Sequence, residues 1–260
     1  MRLSTLCAAT VLALASVGVA YATPVNLVQN GDFSQTNGVT TPTQFGPGWT
    51  AGQFVTDWTG SGGYELWYPN AKQACTVNAQ GQYSGSGKEK LYCTITAPPT
   101  TTAFVGLDGD TGTLGVQAGI GQELTGLTVG TDYVVSFDWG GSQMQSRSGP
   151  TTEYLLVSWG AHSICSPFTC DSQNTATLKN ASGGFTGWQS ATMRFVADSS
   201  SEFLDFLSVG TPTGLPPMAV LTNVSVHAVP EPAVLGMFGA GLGLIGLGLA
   251  FRRRAARQQG

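Results

Sequence analysis

The chain has 260 residues, a net charge of −4 and only 10% charged residues, whereas it holds 36 glycines. An acidic chain that is poor in Lys and Arg is a weak match for phosphate backbones, so we expect no nucleic-acid partner. Between the two ends of the chain no stretch keeps a helical period over three turns, which excludes a helical bundle.

Residues 1–22 have the layout of a secretory signal peptide. Arg2 is followed by an apolar run over 6–20 and by the small-residue site Ala20-Tyr21-Ala22. This order of charged, apolar and small-residue regions is typical of an export signal that is removed. We expect cleavage after Ala22, which leaves residues 23–228 as the exported domain.

Residues 23–228 predict an all-β domain. The clearest strand alternates Tyr133, Val135, Phe137 and Trp139 with smaller or polar residues, which is the period of two of a half-buried strand. Similar short segments recur between turns rich in Gly, Pro, Asn and Asp. Eight to ten such strands predict an antiparallel β-sandwich or jelly roll.

An aromatic-rich stretch over residues 45–68 is the first candidate binding site. A sugar site needs aromatic faces beside polar groups, and Gln53, Asp57, Glu65 and Asn70 supply the polar groups. Large aromatic residues are more often core, so most of these rings are expected between the sheets, and a site needs at least one exposed ring. The candidate glycan-binding residues are Trp49, Trp58, Tyr64, Trp67 and Tyr68.

Four cysteines remain after export, and an even number in an exported chain indicates disulfides. Three pairings are open, of which the local one is favoured because each pair brackets a polar loop: Cys75 with Cys93, and Cys165 with Cys170. Zinc is the alternative, but neither pair has the C-x-x-C spacing and His162 alone cannot complete a tetrahedral set.

Residues 229–260 read as a membrane and sorting segment. Val229-Pro230-Glu231-Pro232 precedes a run without charge over 233–251, and Arg252, Arg253 and Arg254 follow it. The run is long enough for one transmembrane helix, and the arginines would hold its end in the cytoplasm. The order of motif, apolar helix and arginines resembles the PEP-CTERM sorting signal. That resemblance implies an exosortase as partner, which cuts near Pro-Glu-Pro, and an anchor in the inner membrane before release.

The strand motifs resemble a second family, the galactose-binding-domain-like jelly rolls. The motifs are Asn26 to Phe33, Gly121 to Leu124, Tyr133 to Asp138 and Leu221 to Val226. The resemblance implies a structural calcium between the first turn and the last strand. Asp32 could serve there, although Thr222 stands where that fold often has an acid. The Asp108-Gly109-Asp110 turn is a second candidate calcium site.

Catalysis is not expected. His162 and His227 are the only histidines, and no G-x-S-x-G motif occurs. The remaining enzyme alternative is a glycoside hydrolase that uses two of Glu65, Glu123 and Glu153. The sequence therefore predicts an exported surface or extracellular-matrix protein with a structural or adhesive role in exopolysaccharide. The alternatives are a carbohydrate-binding module and, third, the hydrolase.

Overall fold

The computed structural model describes residues 25–76, 89–110, 117–161, 170–215 and 217–230. The described chain holds twelve strands and one short helix, α1 (Ala71–Ala74). Within these ranges no helix is both long enough and apolar enough to cross a bilayer. The expected signal peptide over 1–22 and the expected transmembrane helix over 233–251 lie outside the described residues.

The strands form two antiparallel sheets. The first sheet has the order β1 (Thr43–Phe45), β3 (Glu65–Tyr68), β4 (Phe104–Asp108), β12 (Pro217–Ala228), β6 (Asp132–Gln143) and β10 (Gln189–Val196). The second has the order β2 (Thr59–Gly60), β5 (Gly119–Thr125), β11 (Ser201–Thr211), β7 (Thr151–Gly160) and β8 (Asp171–Asn174), and β9 (Leu178–Asn180) also pairs with β7. The predicted all-β antiparallel sandwich is confirmed.

The main core lies between the sheets and follows the period of two seen in the sequence. Tyr133, Val135, Phe137 and Trp139 of β6 all face this core, as the alternation predicts. The second sheet contributes rings such as Trp159, which stacks on Tyr133 at a ring-centroid distance of 5.8 Å. Burial of these large apolar side chains, at roughly 25 cal/mol per Å², is the main force that holds the two sheets together.

A second apolar core covers the outer face of the first sheet. Leu66, Tyr68 and Phe104 point away from the main core, because strand neighbours alternate between faces. Leu91 and Ile95, from the segment between β3 and β4, pack over them. The first sheet is therefore buried on both faces over these strands.

A disulfide fixes the segment that covers this second core. Cys75 and Cys93 are bonded across a sequence separation of 18, which confirms the local pairing expected for them. Cys170 is also disulfide-bonded, but Cys165 lies outside the described residues. Its pairing with Cys170 therefore stays a prediction.

Candidate functional site

The candidate site is a groove of about 530 Å³ on the outer face of the second sheet. Its floor is formed by β5 and β11, through Gly121 and Asp205, and one wall is the loop that leads into β2. Ile120 and Leu124 of β5 face the core. Successive residues of a strand face opposite sides, so Gly121 and Glu123 face outward into the groove.

A glycine opens the floor of the groove. Gly121 of β5 pairs with Asp205 of β11 and with Thr59 of β2. A Cβ on Gly121 would lie 1.8 Å from Oδ1 of Asp205. The carboxylate of Asp205 therefore lies over the backbone of β5, in space that any other residue at position 121 would occupy.

Buried amide side chains hold the walls of the groove in place. Gln122 accepts a hydrogen bond from the Gln29 N–H (2.7 Å), and its Nε2 donates to the Asp57 carbonyl (2.9 Å). Nδ2 of Asn30 donates to the Thr56 carbonyl (2.8 Å). Asp57 has a positive φ of 66°, a left-handed conformation that Asp and Asn adopt more readily than other non-glycine residues. The groove is therefore preformed by its own hydrogen bonds.

The groove lining combines carboxylates with one partly exposed ring. Asp57, Glu123 and Asp205 contribute the carboxylates, and Phe203 contributes the ring. Among the described residues that line the groove there is no Lys, Arg or His. Carboxylates accept hydrogen bonds from hydroxyl groups, and an aromatic face can pack against C–H groups. The lining therefore suits a neutral ligand rich in hydroxyls and disfavours an anionic one.

The five aromatic residues singled out in the sequence do not share one surface. Trp58, Trp67 and Tyr68 are only 2%, 3% and 0% exposed. Nε1 of Trp67 donates to the Phe33 carbonyl (2.8 Å), so its polar atom is satisfied inside the protein. A ring with so little exposed surface cannot lie flat against a sugar. These three rings are core residues, and Trp58 only borders the groove.

Trp49 and Tyr64 are the two candidate rings that remain partly exposed. Trp49 is 37% exposed, and its Nε1 donates to the Gly63 carbonyl (2.8 Å). The two rings meet edge to face at 6.2 Å. Burial, together with the nearby carboxylates of Glu89 and Asp108, raises the pKa of Tyr64 to about 12. Trp49 lines a separate depression of about 420 Å³, away from the groove.

The acids suggested as calcium ligands accept hydrogen bonds from nearby backbone and hydroxyl groups. Asp32 accepts hydrogen bonds from the Ser34 N–H and hydroxyl, the latter at 2.9 Å. Asp108 accepts from the Asp110 N–H (2.9 Å), and Asp110 accepts from the Gly214 N–H (2.7 Å). In the described part of the chain, no group of three or more His, Cys, Asp or Glu residues could hold a metal ion. Because calcium also binds backbone and amide oxygens, the calcium sites at Asp32, Asp108 and Asp110 stay a prediction.

The three glutamates of the hydrolase alternative do not share a site. Glu65 is buried and accepts from the Ser61 hydroxyl (2.7 Å) and the Gly63 N–H (2.9 Å), and burial raises its pKa. Glu153 is fully buried on the inner face of the second sheet. Glu123 faces the groove on the outer side. Glu123 and Glu153 therefore lie on opposite faces of the second sheet, which excludes that pair.

The sequence did not single out the residues of the groove floor. For Gly121, Phe203 and Asp205 the sequence predicts strand positions and no site. One signal was available, because Asp205 interrupts the apolar run from Phe203 to Leu207. A charged residue within an apolar strand is unusual and indicates that the outer face of the strand has a polar site.

Comparisons with known proteins add one sequence match and several weak structural similarities. Residues 228–254 match the family model of the PEP-CTERM protein-sorting motif. The search of curated proteins found no match. Among solved structures, the chain is similar to TmCBM61 in complex with β-1,4-galactotriose. The two chains are 11% identical, the alignment covers 79% of this chain and 99% of that chain, and the TM-score is 0.41.

Two further solved structures are similar over most of their length. One is the crystal structure of a "putative sugar binding protein" from Bacteroides thetaiotaomicron (13% identity, 79% coverage of this chain and 100% of that chain, TM-score 0.38). The other is the CBM22-1 xylan-binding domain of Paenibacillus barcinonensis Xyn10C (14% identity, 82% and 100% coverage, TM-score 0.35). The sequence match covers residues 228–254 only: the chain is a β-sandwich protein that carries a PEP-CTERM protein-sorting motif there.

Proposed function

We propose that this chain is an exported surface or extracellular-matrix protein that adheres to neutral exopolysaccharide through the groove on its second sheet. The observation that carries the proposal is the groove lining, in which Asp57, Glu123, Asp205 and the ring of Phe203 surround one preformed cavity. The protein binds sugar without cleaving it, and its role is structural or adhesive.

The charge of the groove selects the class of glycan. A sugar hydroxyl donates a hydrogen bond to Asp57 or Glu123, whose side chains are exposed in the groove, and such bonds to a charged acceptor contribute roughly 1.5–3 kcal/mol each. A uronic acid or sulfated sugar would instead bring a negative charge beside these carboxylates, which is unfavourable. Neutral hexose or pentose polymers are therefore the ligand class.

Delivery to the cell surface completes the proposal. The signal peptide over 1–22 starts export, and the helix over 233–251 with Arg252–Arg254 holds the precursor in the inner membrane. The exosortase then acts at the Pro230–Pro232 motif. Replacing Pro230 and Pro232 by Ala should leave uncut precursor in the membrane fraction. Processing at the parent's rate would contradict this route.

The binding test compares retention of the exported protein in gels that contain neutral or anionic polysaccharides. Glu123→Gln keeps the shape of an exposed groove side chain and removes its charge, so affinity for the neutral polymer should fall about tenfold or more. Phe203→Ala should also weaken retention, because the ring supplies the apolar face of the groove. Both variants should keep a thermal midpoint close to that of the parent.

The matched control is Tyr154→Ala. Tyr154 is also a half-buried aromatic residue on the outer face of the second sheet, but it does not line the groove. This variant should bind like the parent. Equal binding by all three variants would rule out the groove, and loss of binding only in Trp49→Ala would move the site to the depression beside Tyr64. Release of reducing sugar by the parent would replace the adhesin with a hydrolase.

A further inference from the structure

The sorting motif begins inside the folded domain. The matched motif starts at residue 228, and Ala228 is the last residue of β12, paired with Tyr133 of β6. The next residue is also held, because the Val229 N–H donates to the Asp132 carbonyl (2.8 Å). No linker separates the motif from the sandwich. An enzyme that binds the start of the motif must therefore meet the end of the sandwich from which it emerges.

We call this end of the sandwich the exit end and define it by Val25, Val129, Asp132, Val196 and Val229. Val196, at the end of β10, pairs with Asp132 at the start of β6. Val129 lies in the turn before β6, where the Gly130 N–H donates to the Ala197 carbonyl (2.8 Å).

The N-terminal segment reaches the same end from the other side of β12. The Leu27 N–H donates to the Val226 carbonyl (2.9 Å), which places Val25 beside the last residues of β12. The distance across the exit end, from this segment past β12 and β6 to β10, is three strand spacings or roughly 14 Å. The valines of the exit end therefore lie at the same end of the first sheet, around the exposed start of the motif.

The exit end holds most of the large hydrophobic side chains that are exposed in the described part of the domain. In the described residues, four large hydrophobic side chains are exposed, and three of them are here: Val25 at 75%, Val129 at 63% and Val196 at 46%. Single exposed apolar residues are ordinary, but their concentration at one end is typical of a surface that another molecule covers. The fourth, Trp49, belongs to the depression described above.

Only the folded chain assembles this face. Val25, Val129 and Val196 come from three distant parts of the sequence and are brought together by the pairing of β6 with β10 and β12. The side chain of Asn26 accepts a hydrogen bond from the Val226 N–H (2.9 Å) and so fastens the N-terminal segment to the last strand. The face is therefore absent until both ends of the domain are in place.

We propose that the exit end is a second recognition surface for the exosortase, which contacts Val25, Val129 and Val196 with an apolar strip beside its cleft while it holds the motif. Folded domains are then processed in preference to unfolded ones. The position of the motif selects this partner, because the enzyme that reads residues 228–254 is the molecule that must approach this face. The inference is independent of the proposed glycan binding.

The test follows processing of the full precursor in cells that contain its exosortase, by pulse-chase. The variant Val25→Ser/Val129→Ser/Val196→Ser keeps the motif intact and should be processed at least about threefold more slowly than the parent. The control is Val209→Ser, a half-exposed valine near the opposite end of the sandwich, in the last residues of β11. It should be processed at the parent's rate. Circular dichroism and the thermal midpoint establish that each variant is folded.

A spacer gives a second, independent measurement. A flexible Gly/Ser insertion of about ten residues between Val229 and Pro230, which spans roughly 17 Å, moves the motif away from the exit end. In the parent, this insertion should slow processing as much as the three valine substitutions do. In the triple variant it should have no further effect, because the contact with the exit end is already lost. If the triple variant does not fold, Val129→Ser alone, at the tip of a turn, should show part of the effect.

Parent-like processing of both the triple variant and Val129→Ser would overturn the proposal. An effect that is present in bilayers but lost with purified enzyme in detergent micelles would also overturn it, because the lipid surface would then cover the valines. A parent that forms dimers which the triple variant cannot form, with unchanged processing, would assign the face to a second copy of this chain. Slower processing that persists in micelles supports the contact with the enzyme.

Discussion

Replacing Glu153 by Gln should stabilise the protein at and above neutral pH and should change its stability little near pH 4. Glu153 lies in β7 and points into the sandwich, where a Cβ on Gly141 of β6 would be 2.6 Å from its Oε2. Thr151 donates a hydrogen bond to Oε1. Among the described residues nothing donates to Oε2. Burial raises the pKa of this carboxyl from its ordinary value of 4.5 to about 7.

The direction of the pH effect follows from the pH range in which Glu153 is protonated in the folded chain but not in the unfolded chain. Between pH 4.5 and about 7 the unfolded chain releases the proton of Glu153 while the folded chain keeps it. Stability therefore falls as the pH rises through this window, by about 1.4 kcal/mol per unit. The free energy of unfolding has fallen by up to about 3 kcal/mol at pH 7, and it stays at that lower value at higher pH. Below pH 4.5 both states are protonated and the loss is absent.

The assay is urea or thermal unfolding of the parent and of Glu153→Gln at pH 4 and pH 8. A neutral amide of similar shape removes the ionisation, so the variant should gain up to about 3 kcal/mol at pH 8. For a domain of this size that corresponds to roughly 6–12 °C in the midpoint. Glu123→Gln, on the exposed face of the same sheet, is the control and should change the midpoint little. A variant as sensitive to pH as the parent would refute the reasoning.

Three further changes test the fold and the groove. Replacing both Cys75 and Cys93 by Ser should lower the free energy of unfolding by about 3 kcal/mol, as expected for a closed loop of this length, and urea unfolding would measure it. Trp67→Ala should cost about 3–5 kcal/mol in the same assay, because the ring is buried in the main core. Gly121→Ala should weaken retention on neutral polysaccharide, because its methyl group would displace the carboxylate of Asp205; unaltered retention would show that this carboxylate is not part of the site.

Local features of the sequence determined the fold class and the sorting signal. The alternation in β6 depends only on which residues face the core, so it was readable without the structure, and all four predicted residues lie there. The pairing of Cys75 with Cys93 was also accessible, because a short polar segment separates the two. The sorting motif is contiguous, and the family match confirms it at residues 228–254.

The sequence could not decide which aromatic residues are buried. Trp49 and Trp67 are the same residue type in the same Gly-rich stretch, yet one is 37% exposed and the other 3%. Trp67 lies in β3 on the side of the main core, whereas Tyr68, its neighbour, lies on the opposite side. That opposite side is buried because the segment around Leu91, together with Trp188, covers it, whereas strand alternation alone predicts solvent there.

Only the tertiary structure located the groove and the exit end. Asp57, Gly121 and Asp205 are far apart in sequence and become neighbours through the pairing of β5 with β2 and β11. The valines of the exit end meet in the same way, through the pairings of β6. The physical reason is common to both surfaces. Side-chain periodicity is a local property that each strand carries by itself, whereas the order of strands in a sheet is set by long-range pairing and by the burial of both cores together.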